Sequence, residues 1–431
     1  MKSDELLFDE AKKLHINGEI KNAQVIYLQL LKKNSNNSNL LFLLATTCVQ
    51  LNDYQKGKDF INKSLKINSN FPESYNGRGI IFAEEGNYLN AIKDYDKALS
   101  LRQNYFDANL NKAVALKEIS EFNESIKYFE ICIRLRPNDF KIYNNLGNLY
   151  RKLKKYNTAH KSYTQAIKLN QNFAEAYSNR GDLLESYLNQ FEKAIEDYDN
   201  VLRINKNFNY IKGKKLHAKM ILNDWKDYNS EIEVIKNDIK NQKKTIYPFP
   251  HMSLIDDPEQ QKIITELYLD NNNLVTTKQE IKFKSDKIII GYFSAEFHNH
   301  PVMHLMLDVF KNHNKSEFEI YGFSIGPSKD GWTERVKKYF DKFIDASNMS
   351  DIEIKSLSKK LKLDIAVNLT GLTFNARYSI FFNKLATKQI NYLGYPGTMG
   401  TKCFDYIIAD KIVIPEENKK YFSEKVIYLP N

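Results

Sequence analysis

A step of 34 residues governs the first half of this chain. Equivalent positions fall at Asp4, Ser38, Pro72, Phe106, Phe140 and Ala174. The eighth position from each start is small: Ala11, Ala45, Gly79, Ala113, Gly147 and Gly181. So is the twentieth: Ala23, Gly57, Ala91, Ser125, Ala159 and, after a one-residue insertion, Ala194. Large residues recur between them, with Tyr54, Tyr88, Phe122 and Tyr156 at the seventeenth position and Tyr27, Ile61, Tyr95, Phe129 and Tyr163 at the twenty-fourth. Small side chains at two fixed points let two helices of one unit approach closely, and the large ones fill the space between successive pairs. Pro137 closes its unit where a helix stop is expected. Such a unit cannot bury its apolar face alone, so the pattern predicts a stack of helix pairs with one continuous core.

This is the period of tetratricopeptide repeats, and it predicts an α-solenoid of six over residues 1–208. Such stacks present a concave face to other polypeptides. The sixth position reads Asn111, Asn145 and Asn179 in three consecutive repeats. A row of side-chain amides could hydrogen-bond the main chain of an extended peptide. The other reading is that Asn is simply common beside the Leu-Gly of this motif.

After residue 208 the period fails. A helical linker and cap is expected over 209–286, with helices at 209–241 and roughly 258–270 and a proline-marked boundary in YPFPHMSLIDDPEQQ. From Lys287 to Asn431 short β-rich runs alternate with helices. The strands are expected at Ile288–Phe293, Phe318–Phe323, Asp364–Leu369, Ile390–Leu393, Tyr406–Ile408 and Val426–Leu429, and the helices at roughly 303–312, 331–340, 351–361 and 375–384. That alternation predicts an α/β lobe with a parallel sheet covered on both faces. Ligands of such sheets bind beyond the carboxyl ends of the strands. The segments AEFHNHP, NLTGLT and GYPGT fall there. Glycines in GYPGT permit positive φ and close backbone approach.

Composition narrows the field. The opening residues MKSDELLFDE carry charge and lack the apolar stretch of a secretory signal. No run approaches a membrane span, so a soluble, cytoplasmic protein is expected. Cys48, Cys132 and Cys403 are scattered and fit packing rather than disulfides or a metal. The formal charge of +10 is spread through helices among Asp and Glu, so neither nucleic acid nor membrane is expected as a partner. His298, His300 and His304 have a spacing that resembles a zinc ligand set, but no strong fourth ligand accompanies them, and no metal is assigned.

The order and spacing of "IIIGYFSAEFHNHPVMHL", "DIAVNLTGLTFNAR", "YLGYPGTMGTKCFDYIIAD" and "YFSEKVIYLP" behind the repeats resembles the protein O-linked N-acetylglucosamine transferases. The resemblance covers essentially the whole chain. It implies a glycosyltransferase-B type catalytic region of two Rossmann-like lobes, of which 287–431 is the first and the second would lie beyond Asn431. It implies inverting transfer of GlcNAc from UDP-GlcNAc to Ser or Thr, without cofactor or catalytic metal. The partners it implies are protein or peptide acceptors in the repeat groove, and a UDP-sugar if a second lobe is supplied. His300 matches the family histidine beside the donor sugar, Asn299 the preceding Asn, and His304 a following His. His298 stands where relatives often have Gly, and Val302 replaces a common Thr. Glu296 matches a family Asp proposed to assist proton removal, and His251 a histidine near the acceptor. Arg377 matches a family Arg. Gly394, Tyr395, Pro396, Gly397 and Thr398 match a cleft-lining turn. The alternative is a non-catalytic repeat scaffold carrying a vestigial lobe.

Overall fold

The computed structural model describes residues 3–270, 286–373 and 376–430. The chain divides into two compact units, Met1–Gln190 and Phe191–Asn431.

The first unit is a run of antiparallel helix pairs in the register of the repeat. Its helices are α1 (Asp4–Ile16), α2 (Ile20–Lys33), α3 (Ser38–Gln50), α4 (Tyr54–Ile67), α5 (Pro72–Glu84), α6 (Tyr88–Leu101), α7 (Phe106–Glu118), α8 (Phe122–Leu135), α9 (Phe140–Lys152), α10 (Tyr156–Leu169) and α11 (Ala174–Leu188). Each repeat start is therefore the first residue of a helix. Local chemistry explains several boundaries: Pro72 occupies the first turn, where its missing N–H costs nothing, and Asn37, Asp53 and Asn87 cap free backbone N–H groups. The small positions are fully buried, as Ala11, Ala45 and Ala113 illustrate, and Tyr27, Tyr95 and Tyr163 lie buried in the same stack. Cys48 and Cys132 are free thiols within this core.

The second unit opens with α12 (Phe191–Ile204), α13 (Ile211–Ile221), α14 (Tyr228–Lys240), α15 (Pro248–Leu254) and α16 (Pro258–Asp270). The proline-marked segment thus contains a short helix, with Pro248 at its first position. A seven-stranded sheet follows, made of β1 (Ile288–Ser294), β2 (Phe318–Ser324), β3 (Lys342–Asp345), β4 (Ile365–Asn368), β5 (Lys388–Tyr392), β6 (Tyr406–Ala409) and β7 (Lys425–Tyr428). All its pairings are parallel, in the order β3-β2-β1-β4-β5-β6-β7. Helices α17 (Pro301–Lys311), α18 (Gly331–Lys337) and α19 (Asp351–Lys360) connect the first four strands. Alternate residues of β1 enter different cores: Ile289 and Phe293 join one cluster, Ile290 and Tyr292 the other. A strand buried on both faces reads as the near-continuous apolar run IIIGYF.

Two expectations need correction. Edge strand β3, absent from the sequence reading, follows α18. The helix expected over 375–384 is a 3-10 helix at Tyr378–Asn383; Phe374 and Asn375 lie outside the described residues. Phe381 O accepts from Lys384 N (3.2 Å) and from Gln389 Nε2 (2.9 Å), and Lys384 takes a left-handed φ of 50°, so no further turn can form. Among the described residues no helix is long and apolar enough to cross a membrane.

Candidate active site

The strand order reverses between β1 and β4, and the loops beyond their carboxyl ends meet there. Glu296 follows β1 and is buried. Its Oε2 accepts from Ser294 Oγ (2.9 Å) and from Thr370 Oγ1 (2.6 Å), while Thr370 Oγ1 accepts from Ala295 N (3.0 Å). The carboxylate is thus held by hydroxyls from both loops at the reversal point.

The chain then turns into α17 through His300, whose Nδ1 accepts from Val302 N (3.3 Å) as the helix cap. An accepting Nδ1 means that the neutral ring carries its proton on Nε2, which is left to donate outward. Asn299 is exposed; its Oδ1 meets His304 Nε2 at 2.9 Å, and the His304 ring lies 4.0 Å from that of Trp332. The loop is fixed from α18: Asp330 accepts from Asn299 N (2.8 Å), and Thr333 Oγ1 donates to Phe297 O (2.6 Å). The His298 and His300 rings are 5.7 Å apart, and no group of three or more potential ligands among the described residues is placed to hold a metal.

The loop after β5 lies against the loop after β4. A Cβ on Gly394 would fall 1.9 Å from Leu369 O, and one on Gly371, at φ +68°, would fall 2.1 Å from Tyr395 Cβ. Of the two uses expected for glycine in GYPGT, close approach explains Gly394; the left-handed residue there is Leu393, at φ 70°. Asn368 Oδ1 accepts from Thr370 N (3.1 Å) and Gly371 N (3.2 Å), and Asn391 Nδ2 donates to Tyr395 O (2.9 Å). The remaining Asn368 Nδ2 and Asn391 Oδ1, on register partners of β4 and β5, are buried without a partner among the described residues.

Tyr395 points inward and is fully buried. Its hydroxyl accepts from Gln261 Nε2 (2.6 Å), and burial pushes the phenol pKa up. Gln261 Oε1 in turn meets His251 Nδ1 at 2.5 Å. A carbonyl oxygen only accepts, so Nδ1 carries the His251 proton and Nε2 is a bare lone pair, buried and without a partner among the described residues. Burial lowers the His251 pKa, which keeps the ring neutral. Thr398 Oγ1 donates to Glu424 Oε2 (2.7 Å), and Glu424 also accepts from Met399 N (2.5 Å) and Ser423 Oγ (3.0 Å). Burial pushes the Glu424 carboxyl up. Pro396 is exposed, and together with Gly397 and Thr398 it lines a pocket of about 140 Å³ shared with Asp257, Gln261 and Tyr421.

Arg377 braces its own lobe, donating to Ala346 O (3.1 Å), Met349 O (2.8 Å) and Asp351 Oδ1 (2.7 Å). In the first unit Asn111 Nδ2 donates to Asn76 Oδ1 (3.0 Å) and Asn179 Nδ2 to Asn144 Oδ1 (2.9 Å), each reaching the preceding repeat; Asn145 is half-buried. The structure therefore joins His251 to the GYPGT turn, and Glu296 to the loop after β4. Gln261, Thr370, Asp330 and Glu424, which hold these groups, were not singled out as residues in the sequence; Thr370 and Glu424 lie inside motifs that carry the family resemblance, whereas Gln261 and Asp330 gave no such signal.

Helix-pair repeats ahead of a doubly wound parallel lobe, with histidines beyond its strand ends, define a repeat-armed α/β protein. Residues 222–431 match the model of glycosyl transferase family 41. Tetratricopeptide repeat models match 38–71, 72–105, 106–139 and 174–208. The chain belongs to the O-GlcNAc transferase family, with its repeats N-terminal to the family 41 region. It is similar to the probable UDP-N-acetylglucosamine–peptide N-acetylglucosaminyltransferase SEC of Arabidopsis thaliana, 36% identical over 155 residues, which is 36% of this chain and 16% of that protein. The UDP-N-acetylglucosamine–peptide N-acetylglucosaminyltransferase of Caenorhabditis elegans is 28% identical over 233 residues, 49% of this chain and 20% of that one. The matched stretches thus span a fifth or less of these relatives. Among solved structures, a mutant of the Thermobaculum terrenum O-GlcNAc transferase aligns with a TM-score of 0.48 at 20% identity, over 75% of this chain and 57% of that chain.

Proposed function

We propose that this chain serves as a protein O-GlcNAc transferase, its α/β lobe forming one wall of the transfer site and its repeats holding the acceptor polypeptide. In the reaction the Ser or Thr hydroxyl oxygen bonds to the anomeric carbon of GlcNAc. The bond from that carbon to the pyrophosphate oxygen breaks, UDP leaves with the electron pair, and configuration inverts. The hydroxyl proton needs an acceptor, and the leaving pyrophosphate needs donors. The observation that carries the reading is the His251 ring, buried, neutral and bare at Nε2, tied through Gln261 to the turn at Tyr395. His300, with an outward Nε2–H at the start of α17, suits the donor side, where a helix N-terminus also favours anions. Glu296 would assist the proton's departure, and Asn299 and His304 would shape the same loop.

The test is transfer of radiolabelled GlcNAc from UDP-GlcNAc to Ser- and Thr-containing peptides, using the chain expressed with whatever follows Asn431 in its gene. His300→Ala and His251→Ala should each lower the rate by about 10²–10⁴-fold, the range for losing a proton-handling group. His300→Ala should keep the melting temperature. Transfer unchanged in both variants would overturn the assignment.

A second reading, a non-catalytic scaffold, draws on the internal partners of Tyr395, Thr398 and Arg377, whose side chains brace the lobe. It expects no transfer by any form of the protein while peptide binding by the repeats persists. Changing Asn111, Asn145 and Asn179 together to Ala should weaken unrelated peptides alike if their amides read main chain, since each lost hydrogen bond is worth roughly 0.5–1.5 kcal/mol.

A further inference from the structure

Neighbouring repeats bring their second helices side by side, and the sequence fills the space between them differently from pair to pair. Three repeat positions meet there: the seventh and the twenty-third of one repeat, and the twenty-fifth of the repeat before it. Between the second and third repeats they are Arg78, Asp94 and Asn62. Arg78 donates to Asn62 Oδ1 (3.0 Å) and to both Asp94 oxygens (2.7 and 2.8 Å). Between the third and fourth they are Lys112, Tyr128 and Asp96, and Lys112 pairs with Asp96 and donates to Tyr128 OH (2.5 Å). The polar groups there satisfy one another.

Between the first and second repeats the same positions are Leu44, Phe60 and Leu28. Among the described residues no ion pair bridges that cleft. It is open, with a volume of about 500 Å³ against 330 Å³ two repeats further on. Its floor is Leu28, Leu31, Phe60 and Ile67. Leu28 is 38% exposed and Ile67 43%. Lys32, Lys63 and Lys66 rim it, and among the described residues none of the three lies in an ion pair. Lys63 only leans over the Phe60 ring, at 5.9 Å.

We propose that the cleft between α2 and α4 docks an acidic amphipathic peptide segment of a partner protein. Two or three aliphatic or aromatic side chains enter the cleft, and Asp or Glu residues flanking them meet Lys32, Lys63 and Lys66. Charge complementarity selects this occupant. A second copy of the chain, docked through the same face, would set one lysine rim against another. A membrane surface is flat, whereas the apolar floor is recessed between two helices. The lysines set orientation and salt dependence, and the apolar side chains supply most of the affinity.

The experiment is fluorescence anisotropy on the full chain with a labelled peptide about four helical turns long, bearing Leu at every third or fourth position and Glu between. Two companions replace Glu by Lys, or Leu by Ser. The acidic Leu peptide should bind at least about tenfold more tightly than either companion, and more weakly as salt is raised. The combined variant Lys32→Glu, Lys63→Glu, Lys66→Glu should lose about tenfold in affinity for it and gain affinity for the basic companion. Leu28→Asp, which copies the residue present at Asp96, should lose a similar factor. If Leu28→Asp lowers the melting temperature, the surface lysine variant decides alone. Equal binding of acidic and basic peptides, no binding of any, or unchanged affinity in the lysine variant would overturn the proposal. So would preference for phosphatidylserine vesicles over the peptide, or self-association abolished by Leu28→Asp.

Discussion

Gly79 and Gly147 in the repeats face a ring, whereas Gly394 in the lobe faces backbone. A Cβ on Gly79 or Gly147 would come within 2.4 Å of the Tyr95 or Tyr163 ring, whereas one on Gly394 would come within 1.9 Å of Leu369 O. A ring at the end of a side chain can tilt. A carbonyl held between β4 and its loop cannot. The repeats also solve each packing problem several times, and the solutions differ, with Ala at the same position in Ala11, Ala45 and Ala113. The lobe solves each of its problems once. Tolerance to change should therefore be high in the repeats and low around the loops of the candidate site.

The sharpest break of that contrast would come from Gly394→Ala. The added carbon meets main chain that also carries Thr370 and Gly371, so relief means moving two loops together. A destabilisation of about 3 kcal/mol is expected, at the upper end of overpacking costs. Both tryptophans, Trp225 and Trp332, lie in the second unit, so intrinsic fluorescence during urea unfolding reads that unit. An unshifted fluorescence midpoint would show these loops to be far softer than their packing implies.

Glu424→Gln should follow, at about 1–3 kcal/mol, because Thr398, Met399 and Ser423 all donate to the carboxylate and an amide cannot replace both of its oxygens. Its pH dependence has a definite sign. Burial raises the folded pKa above the ordinary 4.5, so the folded state binds the proton more tightly. That contribution is fully present below 4.5 and is lost as pH rises through the folded value. The stability of the natural protein relative to Glu424→Gln should therefore grow as pH is lowered toward 4.5. His251 has the opposite sign. Burial lowers its pKa below 6.5, so stability present above 6.5 is lost as pH falls through the folded value. The natural protein should lose ground to His251→Gln over that interval, by a smaller amount. Parallel pH series of the fluorescence midpoint separate the two, and equal slopes for both pairs would contradict the burial of one group or the other.

The same contrast explains what could be read in advance. The repeats were legible because six copies share one register, so a chance match at any one position hardly matters. The longer strands were legible as apolar runs such as IIIGYF. Strand β3 was not, since KFID has four residues at the sheet edge and only two are apolar. The segment at Tyr378–Asn383 looks like a helix in sequence; the left-handed Lys384 and the tie of Phe381 O to Gln389 stop it. Loops with glycine and histidine at strand ends stood out as site candidates. Their supports did not: Gln261 reaches Tyr395 from another part of the chain, and Glu424 reaches Thr398 from the start of the last strand. A hydrogen bond between residues distant in sequence leaves no local pattern. Tyr395 and Arg377 show the converse, because conspicuous residues of the motifs proved to be held inside the lobe.

The smallest effect belongs to the repeats. Gly79→Ala places a methyl 2.4 Å from the present position of the Tyr95 ring, which taken alone suggests serious overpacking. The first repeat argues otherwise. There Ala11 and Tyr27 occupy the equivalent positions, and both are fully buried. The backbone of a repeat therefore accommodates an Ala–Tyr pair once the ring shifts by a few tenths of an ångström or tilts. Against the cost of that shift stands the helix propensity of Ala over Gly, about 1 kcal/mol in a helix interior. Position 79 lies well inside α5, where that gain applies in full. The two terms nearly cancel, and Gly79→Ala should leave the unfolding of the repeats within about 1 kcal/mol of the natural protein. Far-ultraviolet circular dichroism, dominated by the helices, reads it. A loss of several kcal/mol would mean that each repeat is packed as individually as the lobe. The repeated positions would then be a record of common ancestry rather than of interchangeable solutions.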